Sequence, residues 1–198
     1  YKLHGPKPET PIAETLGALD GLVKEGKVDV IGCSNFSAEQ MREALEASAT
    51  HGFARFEITQ PGFSLARPDA RDELFGLCRA EQIAITSYGP LGSGFLTGKY
   101  TPDRDKFPKG SRYHISPPHA DQYFSDHNFE LVEKLRQKSA EVGLPMERLA
   151  MAWVMAHGEV TSPLVGARET SHIDNALAAL EMELDPALFD EMNSWLDA

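Results

Sequence analysis

Gly26-Lys27-Val28-Asp29-Val30-Ile31-Gly32-Cys33-Ser34-Asn35-Phe36-Ser37-Ala38-Glu39-Gln40 is the stretch that decides the fold. Gly26 supplies a helix stop, because a residue after a last helical turn often adopts the left-handed conformation that glycine tolerates. Val28 to Ile31 then reads as a buried strand. Ser37 and Gln40 form the hydroxyl-x-x-amide pair of a capping box, so a second helix opens at once and carries Met41, Ala44, Leu45 and Ser48 on one face. Helix, strand and helix within so short a span make one β/α unit.

The same unit recurs on both sides. Upstream, Thr10-Pro11 reads as a helix start with a capping hydroxyl and proline at the first helical position, and Ile12, Leu16, Leu19 and Val23 share a face. The tetrad before Gly5 reads as the tail of a first strand. Downstream, Phe56 and Ile58 alternate with polar neighbours, Asp72 to Ala80 is helical, and Ile83 to Ser87 is the next strand. Strands beginning near 28, 54 and 83 are 26 and 29 residues apart, which suits β/α units and not the spacing of about 8–12 residues in all-β folds. Parallel pairing through right-handed crossovers follows. Residues 89–127 hold glycines, five prolines and scattered charge and read as a long surface loop. Helices resume at about 128–142 and 145–157, Leu164-Val165 reads as a final strand, and helices at 171–180 and after Asp185-Pro186 close the chain.

The expected class is therefore α/β: residues 1–198 as one domain of about five parallel strands, either a doubly wound sheet or part of a (β/α)8 barrel. No G-x-G-x-x-G follows an early strand, which removes the dinucleotide fingerprint of the doubly wound fold. Gly98-Lys99 resembles the end of a P-loop, but Ser93 stands at the first glycine's place and Tyr100 at the hydroxyl's.

Composition narrows the function classes. Apolar residues make up 41% and charged residues 25%, so wholesale disorder is excluded. The net charge of −11 argues against a non-specific nucleic-acid partner and against an anionic membrane surface. Two cysteines, Cys33 and Cys78, make no disulfide framework, and no apolar run reaches 18 residues, so a cytoplasmic setting is expected. The histidines show no metal-ligand spacing, and no metal is expected.

In parallel β/α folds chemistry gathers at the carboxyl ends of the strands. Those positions hold His4, Ser34 with Asn35, Gln60, Tyr88, and Gly166-Ala167-Arg168. Amides such as Asn35 and Gln60 offer donors and acceptors together, which suits a planar carboxamide like that of nicotinamide. Tyr88 offers a stacking face. Arg168 before a helix suits a phosphate, and a strand-end histidine such as His4 can donate toward a carbonyl oxygen as charge develops there.

These residues carry a resemblance to the aldo-keto reductases, over essentially the whole chain. It rests on Leu-His-Gly-Pro at 3–6, Thr-Pro-Ile-x-Glu-Thr-Leu at 10–16, Gly-Lys-Val-x-x-Ile-Gly-Cys-Ser-Asn-Phe at 26–36, Gln-Pro-x-Phe-Ser-Leu at 60–65, the glycine-rich run at 87–100 and Val-Gly-Ala-Arg at 165–168. The long 89–127 loop resembles the bacterial and channel-subunit-like branch. The resemblance implies a (β/α)8 barrel, NADP(H) as cofactor with NAD(H) the alternative, and a small aldehyde or ketone as substrate. It implies that His4 orients and polarises the carbonyl, that Ser34, Asn35 and Gln60 hold the nicotinamide carboxamide, and that Tyr88 stacks under the ring. Gly89, Pro90, Leu91, Gly92 and Gly94 match the pyrophosphate loop, and Gly166 with Arg168 the adenosine 2′-phosphate site. His172, Asn175 and Ala176 stand where the family usually has glutamine, an acid and asparagine around the adenosine.

The family's acid tyrosine, with the lysine and aspartate that tune it, belongs to strands before the one ending at His4. These residues are therefore expected N-terminal to the 198, and the chain alone is expected to be inactive. Tyr100, Tyr113 and Tyr123 are expected to line the substrate. At the observed spacing the chain is expected to supply about two-thirds of a barrel of about 280 residues. The alternatives are a non-catalytic barrel that binds nucleotide or regulates, and a short form that closes by pairing with a copy of itself or a complementing chain.

Overall fold

Alternating small and apolar residues build a parallel sheet. The computed structural model describes residues 1–196. Its strands β1 (Lys2–Leu3), β2 (Ile31–Ser34), β3 (Phe56–Gln60) and β4 (Ala84–Ile85) lie in that order, each parallel to the next. Helices α1 (Ile12–Lys24), α2 (Ala38–His51) and α3 (Leu74–Glu81) form the crossovers. In register, Lys2 pairs with Gly32, Gly32 with Ile58 and Ile58 with Ala84 on one face; Cys33, Thr59 and Ile85 share the other and are wholly buried. Burial pushes the Cys33 thiol up to about 12 and Cys78 to about 11, and both are free.

These elements belong to a first compact unit of residues 1–62, 69–88 and 159–162. The capping box before α2 is complete: Gln40 N–H donates to Ser37 Oγ at 3.2 Å and Ser37 N–H to Gln40 Oε1 at 3.0 Å. At α1 the expected hydroxyl cap is absent. Pro11 takes the cap position and its carbonyl accepts from Glu14 and Thr15. Two strands differ from expectation as well. β2 starts at Ile31 and not Val28, because its pairing begins with Ile31 opposite Phe56 of β3 and Val30 is 47% exposed. Leu164-Val165 forms no strand; an isolated parallel bridge joins Ile85 to Val160 instead. Thr161 and Ser162 both donate to the Ile85 carbonyl, Pro163 has no N–H to add, and Leu164 makes only an isolated bridge.

The second unit comprises residues 63–68, 89–158 and those from 163 onward. It holds α4 (Arg112–Ile115), α5 (Asp126–Val142), α6 (Met146–Met155), α7 (Thr170–Leu180) and α8 (Pro186–Ser194). Its core is Leu131, Leu135, Leu149 and Trp153, whose indole donates to Asn193 Oδ1. The 89–127 stretch is not a bare surface loop. Short 3-10 turns and α4 wrap a cluster in which Phe95, Tyr100, Tyr113 and Tyr123 are no more than 5% exposed. Tyr100 and Tyr113 lie 4.3 Å apart, and the Tyr113 hydroxyl donates to Gly92 O at 2.7 Å. Burial raises the Tyr113 phenol well above its ordinary range. Aromatic residues at irregular spacing have no periodic signature, so the sequence hid this small core. The three tyrosines are packing residues, not an open lining. Among the described residues no helix is long and apolar enough to cross a membrane.

Candidate active site

Five of the expected residues gather at the carboxyl ends of the first unit's strands. His4 directly follows β1 and is exposed. Ser34 closes β2 and Gln60 closes β3, and they are register partners. Ser34 Oγ donates to the Gln60 carbonyl at 2.6 Å. Asn35 leaves the sheet at φ 61°, a left-handed conformation that asparagine tolerates better than most residues. That turn aims its amide along the strand ends. Asn35 Nδ2 donates to the His4 carbonyl at 2.8 Å, and its Oδ1 accepts the Tyr88 hydroxyl at 2.8 Å. Tyr88 is held in turn by an isolated bridge to Gly62, its N–H donating to Pro61 O. The structure thus joins His4, Asn35 and Tyr88 through one side chain.

The remaining expected residues lie in the second unit. Gly89, Gly92, Ser93 and Gly94 all have positive φ, so the backbone from 89 to 94 turns tightly, with the Tyr123 ring against Gly92. Pro90 is buried and Leu91 half-buried within that turn. A Cβ at Gly94 would lie 2.9 Å from Lys99 Nζ. Gly166 and Arg168 are exposed in the segment before α7. Arg168 Nη1 donates to Gly110 O at 2.6 Å, and its backbone N–H donates to His172 Nδ1 at 3.2 Å. His172 therefore acts as a reverse cap for α7. Asn175 faces the helix pair, its Oδ1 accepting from the Arg148 guanidinium at 3.3 Å.

Two residues escaped the sequence reading. Lys99 was set aside with the failed P-loop pattern. Partial burial and then the Arg168 charge hold its ammonium below the ordinary lysine range. Among the described residues no carboxylate pairs with either cation. Lys2 lies two residues before His4, so the period of two would have placed both on one strand face. Among the described residues no cluster of three acidic, histidine or cysteine side chains could hold a metal ion.

A parallel β/α sheet whose strand ends carry a histidine, two amides and a tyrosine defines a class, and the comparisons supply its name. The chain belongs to the aldo/keto reductase family, whose model matches residues 1–197. That family's fold is the (β/α)8 barrel, and the four parallel strands are this chain's share of it. Among relatives, the chain is 31% identical over 197 residues to the aldo-keto reductase yakc [NADP(+)] of Schizosaccharomyces pombe, covering all of this chain and 56% of the relative. It is 31% identical over 195 residues to the NADH-specific methylglyoxal reductase of Escherichia coli, covering 95% of this chain and 56% of the relative. It is 30% identical over 181 residues to the aldo-keto reductase str7 of Strobilurus tenacellus, covering 91% and 52%. The chain thus spans about half the length of the curated relatives it matches.

Proposed function

We propose that the protein containing this chain reduces an aldehyde or ketone to an alcohol with NADP(H), and that residues 1–198 supply the cofactor-holding side of the site. The single observation that carries the reading is the hydrogen-bond state of Asn35. An asparagine amide has two donors and two acceptor lone pairs. One donor goes to the His4 carbonyl and one lone pair to the Tyr88 hydroxyl. One donor and one acceptor remain, which is the complement of a primary carboxamide such as nicotinamide's.

The residues fit the group at its other end too. Lys99 and Arg168 are neighbouring cations without a carboxylate partner among the described residues, and each suits a phosphate. The positive-φ turn from Gly89 to Gly94 is the segment we assign to the pyrophosphate, with the Gly92 and Gly94 amides bonded inside the turn to Gly89 O and Leu91 O. NADP(H) is favoured over NAD(H) by this pair of cations. The relatives' names span both nucleotides.

Bound NADPH supplies a hydride. Asn35, Gln60 and Ser34 would hold the carboxamide, and the Tyr88 ring would offer the nicotinamide a stacking face. His4 donates toward the carbonyl oxygen and stabilises the charge that develops there. The proton comes from a tyrosine outside these 198 residues. NADPH oxidation by the full protein with 4-nitrobenzaldehyde tests the proposal; a protein that binds NADPH but shows no turnover with any carbonyl would defeat it.

A further inference from the structure

Lys2 stands on the strand face that leads up to His4, one step deeper along β1. Its register partner is Gly32, and the next residue across is Ile58, two before Gln60. A side chain at position 32 would stand between β1 and β3 on this face. With glycine there, the lysine stem crosses β2. The ammonium donates to Gln60 Oε1 and, at 3.2 Å, to Thr86 Oγ1. Thr86 Oγ1 donates onward to the Thr59 carbonyl at 3.4 Å, and Ser34 Oγ fixes the Gln60 backbone.

A lysine ammonium has three donors and no acceptor. The amide atom of Gln60 that it meets must therefore be the oxygen, and the Nε2 amino group is turned to the opposite side. An unrestrained glutamine amide would present either end with similar ease. We propose that Lys2 is a positioning residue: it fixes the orientation of the Gln60 amide, so that the end of β3 presents a hydrogen-bond donor to the carbonyl oxygen of the nicotinamide carboxamide. This rests on the reading of Gln60 as a carboxamide-holding residue. Lys2 acts through Gln60 and touches neither substrate nor cofactor.

The test uses the full protein and measures binding. NADPH dissociation constants are determined by nucleotide fluorescence for the wild type, Lys2→Met, Gln60→Ala and the double variant. With Gln60 present, Lys2→Met weakens NADPH binding about three- to tenfold, the worth of one oriented hydrogen bond. In the Gln60→Ala background the same substitution changes the constant by less than about twofold. Orientation is read separately with the oxidised 3-acetylpyridine analogue of NADP, which keeps the ring carbonyl but has a methyl in place of the amide nitrogen. Lys2→Met discriminates against this analogue, relative to NADP itself, by about twofold or more, because a freed Gln60 presents its oxygen part of the time. Lys2→Arg, which retains donors, keeps the wild-type ratio. Equal losses in both Gln60 backgrounds with an unchanged analogue ratio would reduce Lys2 to a structural residue and overturn the proposal. Unchanged NADPH affinity in Gln60→Ala alone would instead remove the reading of Gln60, and this inference with it. The two failures are distinguishable.

Discussion

The Tyr88 hydroxyl donates to Asn35 Oδ1 at 2.8 Å, tying the segment beyond β4 to the residue that follows β2. The bond orients the amide and sets the height of the phenol ring together. Tyr88→Phe keeps the ring and removes the tether, so it costs about two- to tenfold in NADPH affinity through loss of one hydrogen bond. Tyr88→Ala removes the stacking face as well and costs more. Fluorescence titration of both variants checks the order; a Phe variant as weak as the Ala variant would show that the hydroxyl, and not the ring, carries the effect.

Gly32 is where two neighbouring strands leave no room. A Cβ there would lie 2.4 Å from both Ile58 Cγ2 and the Ile58 carbonyl oxygen. The register shifts between Ile31 and Gly32, so β2 is already irregular at this point. The obstructing atoms include backbone and cannot turn away as a side-chain tip can. Gly32→Ala destabilises the protein by about 1–3 kcal/mol or more, the scale of an overpacked core. The urea midpoint is the measurement.

How much of this was legible in sequence depends on what each residue's signal rests on. His4, Asn35, Gln60 and Tyr88 each follow an apolar run, and a run's end is readable without a structure. That these residues meet is a consequence of parallel register, which the spacing of β/α units implies. The bounds of β2 were not legible, because alternation at Val28 and Val30 shows propensity whereas pairing partners decide where a strand begins. The expected fifth strand is reduced to isolated bridges at Val160 and Leu164, on either side of two amides that share one carbonyl. Lys99 was hidden by its motif context, and the ring cluster of Phe95, Tyr100 and Tyr113 by its lack of period.

Asp20 predicts the acid limb of stability. It lies on α1, where its carboxylate pairs with Lys24 at 2.6 Å and accepts the Ala54 N–H at 2.9 Å. The Lys24 ammonium first, and the Ala54 amide second, hold its pKa below the ordinary aspartate value. A carboxyl whose folded pKa is depressed stabilises the fold above the unfolded value of about 3.9, and that contribution is lost as pH falls through the lower, folded value. Asp20→Asn therefore lowers the urea midpoint at pH 7 and narrows the gap between pH 7 and pH 3 relative to the wild type. An unchanged gap would show that Asp20 titrates alike in the folded and unfolded chains.

Arg168 and Lys99 give the prediction on nucleotide choice. Like charges held close together are unfavourable, and the depressed Lys99 pKa registers that cost after partial burial. An anion between or beside them relieves it, so phosphate binding and the protonation of Lys99 are coupled: binding raises the lysine pKa back. Arg168→Ala removes a planar, bidentate donor and weakens NADPH about tenfold or more, the loss of a charge-assisted hydrogen bond, while NADH, which lacks the 2′-phosphate, loses little. Lys99→Met weakens NADPH as well and removes the alkaline decline of its affinity that deprotonation of this lysine produces. Titrating both nucleotides against the two variants across pH 7–10 separates the roles. An NADPH-to-NADH ratio unmoved in Arg168→Ala would place the 2′-phosphate elsewhere, and leave the Arg168 guanidinium a structural role through its bond to Gly110 O.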